Sequence, residues 1–247
     1  MTIRVAVLGA AGRMGSTTAQ AVRDAEGLEL VAEVDAGDDV AALAGRADVA
    51  VDFTLPDVTE ANVHALLDAG IHAVVGTTGW DDDALGRVSD HVGRTAGLGV
   101  LVAPNFSLSA VLAMRFAAQA APYFASAEVV ELHHPRKVDA PSGTAVHTAR
   151  GIADARGAAG SPPMPDATET ALPGARGAVV DGVRVHALRL EGLVAHEEIL
   201  LSNPGELMTI RTDTFDRASF MPGVLLAVRE IADHPGLTVG LDAYLDL

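Results

Sequence analysis

The segment Glu131-Leu-His-His-Pro-Arg-Lys-Val-Asp-Ala-Pro-Ser-Gly-Thr-Ala145 gathers His133, His134, Arg136 and Lys137 within five positions, directly ahead of a Ser-Gly-Thr step. Imidazole and ammonium groups are the side chains most readily tuned to move protons near neutral pH. A Ser-Gly-Thr step of this kind opens a helix, and the first N–H groups of a helix have no partner within it. The stretch therefore reads as a local trap for an anion with proton carriers beside it. Its surroundings have the opposite sign: 33 Asp and Glu against 17 Lys and Arg give a formal net charge of −16 over 247 residues. That balance argues against a nucleic-acid or anionic-membrane partner, which needs clustered basic groups over a wide surface.

A second anion-binding pattern stands near the start of the chain. Residues 3–8 form a short apolar run that ends at Gly9-Ala-Ala-Gly-Arg-Met-Gly15, and residues 16–25 have helical character. Strand, glycine turn and helix is the context of a dinucleotide site, although the spacing is G-x-x-G-x-x-G rather than G-x-G-x-x-G. Glycines let the backbone approach a pyrophosphate, and the helix N-terminus offers it unpaired N–H groups. Gly9, Ala10, Ala11, Gly12, Arg13 and Met14 make up this turn; Arg13 either neutralises phosphate or is simply solvated, and Met14 is expected mainly to pack. A second strand, residues 28–34, ends at Asp35, 20 positions beyond Gly15. An acid on the adenine ribose is expected about there, although an Asp at a strand end also serves as a turn cap.

These sites need a scaffold, and the intervening sequence supplies one. Apolar strands at 48–53, 72–75 and 100–103 alternate with helices at 57–69 and 81–95. This alternation predicts a parallel sheet covered on both faces. Ligands of such sheets sit beyond the carboxyl ends of the strands. Gly9 to Gly15, Asp35, the turn Gly76-Thr77-Thr78-Gly79 and the turn Ala103-Pro104-Asn105-Phe106 are therefore expected to border one crevice. Beyond Ser107 the pattern changes to a helix at 110–121, a strand at 127–132, a helix from about 144 to 155 and a Gly- and Pro-rich loop at 157–177. Two hairpins follow, turning at Asp181-Gly182 and at Asn203-Pro-Gly205, then a helix at 219–232 and a short strand at 237–241. The predicted class is α/β: a Rossmann-type parallel sheet domain plus a smaller α+β domain with a mixed sheet.

The absence of cysteine excludes disulfides, thiolate metal sites and a cysteine nucleophile. A metal site on His133, His134 and Asp139 lacks further ligands at a recognisable spacing, so no metal is expected. No apolar run reaches the roughly 18 residues of a membrane span. The first strand is expected to begin at once, with no basic leader ahead of it, and a soluble cytoplasmic protein is the expectation.

Taken in order, Gly9-Ala-Ala-Gly-Arg-Met-Gly15, Gly76-Thr-Thr-Gly79, Ala103-Pro-Asn-Phe106 and the His-His-x-x-Lys-x-Asp-Ala-Pro-Ser-Gly-Thr segment resemble those of the 4-hydroxy-tetrahydrodipicolinate reductase family, also called dihydrodipicolinate reductases. The resemblance covers essentially the whole chain. It implies NAD(P)H-dependent reduction of 4-hydroxy-tetrahydrodipicolinate, a small cyclic dicarboxylate, to tetrahydrodipicolinate on the diaminopimelate route to lysine. It also implies a discontinuous dinucleotide-binding domain (1–106 with 214–247) and a substrate-binding domain (107–213) that forms a homotetramer through its sheet. Carried over position by position, His133 and Lys137 are the acid/base pair, His134 contacts substrate, and Gly143 and Thr144 offer amides to a substrate carboxylate. The residues of the three turns, with Asp35, hold the cofactor, NADH or NADPH; the lack of an arginine after Asp35 leans toward NADH.

Each site residue also has a plainer role open to it. His133 and His134 on a strand would point to opposite faces, so one of them is free to be an ordinary imidazole. Lys137 would be a solvated loop lysine but for its neighbours, and Asp139 either pairs with Lys137 or braces the loop. Of the competing functions, a thioester-forming semialdehyde dehydrogenase needs a cysteine the chain lacks, and a nucleotide sensor has no chemical use for His133 with Lys137.

Overall fold

The computed structural model describes residues 2–245. The chain begins with β1 (Ile3–Leu8), α1 (Arg13–Asp24), β2 (Leu28–Val34), β3 (Val49–Asp52), α2 (Pro56–Asp68), β4 (His72–Val75), α3 (Asp82–Val92), β5 (Gly99–Val102) and α4 (Leu108–Ala120). It continues with β6 (Ser126–His133), α5 (Gly143–Ala158), β7 (Ala178–Val180), β8 (Val183–Arg189), β9 (Ala195–Asn203), β10 (Glu206–Thr214), α6 (Met221–Glu230) and β11 (Gly236–Val239). These elements fall into two compact units. One comprises residues up to Leu108 together with those from Arg217 onward; the other comprises Ser109–Asp216.

In the first unit six strands pair in the order β11-β5-β4-β3-β1-β2, every neighbouring pair parallel. β3, β5 and most of β4 are buried throughout. That is why their sequences are continuously apolar instead of alternating. Ala6, Leu8, Ala73 and Val75 pack with Val63, Leu66 and Leu67 of α2 in one buried cluster. The carboxyl ends of β1 to β5 all lie on one edge of this sheet, which is where the glycine and Thr-Thr turns emerge.

Several element ends differ from those the sequence suggests. α1 begins at Arg13, three residues early, because Gly12 is already its extended N-cap (φ −71°, ψ 163°). α5 runs through Gly157 to Ala158 before the loop starts. β11 stops at Val239, since Gly240 takes a left-handed φ of +95° and the chain enters a short 3-10 turn at Leu241–Tyr244. Pro222 does not interrupt α6 because it sits in the first turn, where its missing N–H costs nothing.

The second unit has a five-stranded sheet in the order β10-β9-β6-β8-β7. β6 and β8 are parallel and the other pairs antiparallel. The β7–β8 hairpin turns on Asp181 (φ 46°) and Gly182 (φ 88°), both left-handed as a two-residue type I′ turn requires. One face is sealed by α4 and α5 through Ala113, Ala117, Val129, Ala149, Ile152 and Ile199. The alternate residues of β6 (Glu128, Val130 and Leu132) face the other way and are only half-buried.

The C-terminal segment is built into the first unit at two glycines. A Cβ on Gly223 of α6 would stand 2.1 Å from the Phe106 carbonyl oxygen, and one on Gly99 of β5 2.5 Å from the His234 carbonyl oxygen. Neither contact partner is a flexible side chain, so neither yields cheaply. Gly223→Ala is expected to lower unfolding stability by about 1–3 kcal/mol or more, read as a lower denaturant midpoint with an unchanged slope.

Candidate active site

At the end of β1 the chain turns at Gly9 (φ +76°), whose N–H donates to the Val34 carbonyl at 2.8 Å. A Cβ at Gly9 would lie 2.6 Å from the Phe53 carbonyl oxygen, and one at Gly15 2.0 Å from the Gly9 carbonyl oxygen. Backbone alone fits at both positions. No side chain caps α1 at Gly12, so the donors of its first turn are left to an external acceptor. Ala11, Gly12 and Arg13 are exposed, Met14 is half-buried, and Ala10 is buried. A donor-rich cradle with its side chains pared away fits the pyrophosphate of a dinucleotide. The Asp35 carboxylate accepts the Ala11 N–H at 3.0 Å to each oxygen, which ties β2 to the glycine turn.

The neighbouring turns are gathered by Asp52, a fully buried residue that the sequence reading passed over. Its carboxylate accepts the Thr54 N–H (2.8 Å), the Thr54 hydroxyl (2.6 Å), the Asn62 amide (3.0 Å) and the Thr77 hydroxyl (3.0 Å). With the Thr77 side chain committed inward, Gly76-Thr77-Thr78-Gly79 offers its backbone and the exposed Thr78 to the crevice. Gly76 leaves room for the Phe53 ring, which a Cβ there would meet at 2.0 Å. Phe53 in turn packs edge-on against Phe106, ring centroids 5.9 Å apart. Phe106 and Ala103 are buried, while Pro104 is exposed and the Asn105 side chain accepts the Ser107 N–H at 2.8 Å.

The second unit holds the His-His-x-x-Lys segment. β6 extends through His133, so Glu131 and His133, two residues apart, share its helix-covered face. Glu131 is 1 % exposed. One of its oxygens meets His133 Nδ1 at 2.6 Å, the other accepts the Ser142 N–H at 3.0 Å, and Arg189 on β8 grips both at 2.7 and 2.8 Å. Ser142 is the N-cap of α5, its hydroxyl accepting the Ala145 N–H at 3.2 Å. Gly143 and Thr144 are therefore the first residues of that helix, Gly143 exposed and Thr144 half-buried.

His134 lies past the end of β6; its carbonyl accepts the Lys137 N–H at 3.2 Å, and its buried Nδ1 has no hydrogen-bond partner among the described residues. Lys137 Nζ donates to Asp139 at 2.7 Å with its side chain 21 % exposed. Asp139 thus pairs with the lysine. Arg136 lies 3.8 Å from Glu191 and both are largely exposed, so it belongs to the surface and not to this cluster. Arg189, which no motif or spacing singles out, is the cation that completes it, donating also to the Asp139 carbonyl at 2.7 Å.

Two buried carboxyls in this unit are driven in opposite directions. Burial pushes Glu131 up, but the hydrogen bonds from His133, Arg189 and Ser142 outweigh it and hold the group down to about 2. Glu197 stands directly opposite it across the β6–β9 register. Burial pushes Glu197 up to about 7, against a single hydroxyl donor, Thr148, and with the negative charge of Glu131 adding to the rise.

The parallel sheet with its glycine cradle is that of an oxidoreductase that uses a nicotinamide cofactor, here with a second unit built on a mixed sheet. Residues 3–106 match the model for "Dihydrodipicolinate reductase, N-terminus" and residues 109–245 that for "Dihydrodipicolinate reductase, C-terminus". The chain belongs to this family, whose members reduce 4-hydroxy-tetrahydrodipicolinate in lysine biosynthesis. It is 59 % identical to the 4-hydroxy-tetrahydrodipicolinate reductase of Nocardia farcinica and 57 % identical to that of Corynebacterium efficiens, each over 248 aligned positions that cover both chains completely. A solved dipicolinate-bound dihydrodipicolinate reductase from Paenisporosarcina sp. TG-14 superposes with a TM-score of 0.90 at 36 % identity, over 99 % of this chain and all of that one. The fold alone is shared with scyllo-inositol dehydrogenase from Lactobacillus casei, TM-score 0.61 at 13 % identity, covering 99 % of this chain and 93 % of that one.

Glu197 gives a pH test of the second unit. Its folded pKa lies above the ordinary 4.5, so the folded state holds an extra proton between about 4.5 and 7, and stability falls as pH rises through that window. Glu197→Gln stays neutral at every pH. The variant is expected to gain stability over the native chain above pH 7, by roughly 3 kcal/mol at most, with little difference below pH 4.5; thermal melts across that range measure it.

Proposed function

We propose that the first unit binds NADH or NADPH and the second binds the cyclic dicarboxylate and supplies the proton, the chain working as a cytoplasmic homotetrameric reductase. One observation carries the reading: His133, the start of α5 and, through Arg189, the Lys137 loop are gathered around the buried carboxylate of Glu131. The nicotinamide, when bound, supplies the hydride that reduces the substrate ring. Hydride addition places an electron pair on the conjugated ring system, and His133 and Lys137 answer it with a proton and with positive charge. Water is lost overall. The Gly143 and Thr144 amides at the start of α5 donate to one substrate carboxylate, and His134 contacts the ring or its second carboxylate.

In the first unit the α1 N-terminus and the glycine turn hold the pyrophosphate, with Arg13 beside it, while the turns at Gly76–Gly79 and Ala103–Phe106 line the nicotinamide side. Asp35, Asp38 and Asp39 cluster at the ribose end. Three carboxylates there repel a 2′-phosphate, which supports NADH as the preferred donor. The half-buried outer face of the mixed sheet, with Val130 and Leu132 on β6, supports its use as the tetramer interface.

Replacing either His133 or Lys137 with Ala is expected to lower kcat by about 10²- to 10⁴-fold, with nicotinamide affinity unchanged by fluorescence titration. A variant carrying both alanines that still turns over normally would overturn the assignment. Asp35→Ala is expected to weaken NADH binding about tenfold, near 1.4 kcal/mol, while NADPH binding is unchanged or improves; direct binding of each nucleotide separates the two.

A further inference from the structure

We propose that Glu131 is the positioning residue of the active site, one buried anion that sets the tautomer of His133 and holds the helix start and the lysine loop against it. The inference rests on the reading above that His133 carries the proton and the α5 amides take a carboxylate. None of the roles carried over by resemblance falls on Glu131, and Arg189 lies outside the quoted segment altogether.

The geometry leaves one protonation pattern. An ionised carboxylate accepts hydrogen bonds and donates none. The Glu131 oxygens already receive the Ser142 N–H and both Arg189 Nη groups, and the 2.6 Å contact to His133 Nδ1 therefore carries its hydrogen on the nitrogen. Neutral His133 is then the Nδ1–H tautomer with a bare Nε2, and any further proton it takes up resides on Nε2, away from the carboxylate. The nitrogen free to meet a substrate is thereby the one that loads and unloads the proton.

The same carboxylate fixes the other two parts. Its Oε1 holds the Ser142 N–H, which sets where α5 begins and hence where the Gly143 and Thr144 amides lie. Arg189, held by Glu131, reaches the Asp139 carbonyl at 2.7 Å, and the Asp139 side chain holds Lys137 Nζ at 2.7 Å. The imidazole and the helix start are each one hydrogen bond from this pair of oxygens, and the ammonium is three away, through Arg189 and Asp139. Glu197, facing Glu131 from the neighbouring strand, has a threonine hydroxyl as its one donor among the described residues. It is the member of the carboxyl pair suited to stay protonated, leaving Glu131 the anion.

Glu131→Gln separates this role from a merely structural one. A glutamine that keeps its oxygen toward Ser142 must turn its amide toward His133, which forces the imidazole to accept at Nδ1 and to carry its hydrogen on Nε2. In full-length protein with ¹⁵N-labelled histidine, at a pH where imidazoles are neutral, wild-type His133 is expected to be protonated on Nδ1 and the variant on Nε2; the His133→Ala spectrum identifies the resonances. Kinetically the variant is expected to lose about 100-fold in kcat and to raise KM for the cyclic dicarboxylate about tenfold, with nicotinamide affinity unchanged.

Wild-type His133 protonated on Nε2 overturns the proposal, and that measurement needs no variant to fold. So does a Glu131→Gln protein whose tautomer, kcat and KM match wild type. Normal turnover by the His133→Ala and Lys137→Ala double variant removes the functional reading instead, whatever the tautomer of His133.

Discussion

A carboxylate sealed from water is costly unless every lone pair it exposes is met. The second unit is arranged around meeting those of Glu131. A guanidinium, an imidazole and a backbone N–H converge on it from β8, β6 and the cap of α5. Three segments remote in sequence thereby acquire fixed positions relative to one another. Removing such an anion would leave Arg189 half-buried without its counter-charge, so the cluster stands or falls as a unit, and the sheet register that brings Glu131, His133 and Arg189 side by side is held in place by it as well as holding it.

The first unit solves a similar problem without a cation. Asp52 ends β3 in full burial and is satisfied only by neutral donors from Thr54, Asn62 and Thr77. Neutral donors suffice for anchoring turns, whereas the pairing of Glu131 with Arg189 and His133 keeps charge and proton where the proposed reaction would use both. Each unit thus employs one buried acid to collect loops at one end of its sheet, and the chemistry of the donors distinguishes the binding scaffold from the reacting one.

Much of this was legible in the sequence, because local rules decide it. Continuous apolar runs between helices gave the parallel strands, and Asp181-Gly182 gave the tight hairpin through its left-handed requirement. Motif residues such as His133, Lys137 and Gly143 stood out by their own crowding. Asp52, Arg189 and Glu197 did not, since their roles come largely from partners 10 to 58 positions distant that strand pairing and helix packing bring near. Arg136 misled for the converse reason: neighbours in sequence share a loop without sharing a side-chain direction, and this one turns outward to Glu191. The return of the C-terminal segment to the first unit was likewise invisible to periodicity and came only from family resemblance, and its strand pairs with β5 in the structure.

That pairing bears on how the molecule is made. β5 is Gly-Val-Leu-Val, buried from end to end, and the strand that covers its outer side is translated more than a hundred residues later. While the ribosome is still producing the intervening unit, the nascent first unit displays a bare, wholly apolar edge, the kind of ribbon to which other unfinished chains adhere. The arrival of residues 236–239 therefore acts as a final zip. Nascent chains halted before that point are the species most in need of a chaperone's cover, however well formed their nucleotide cradle is by then.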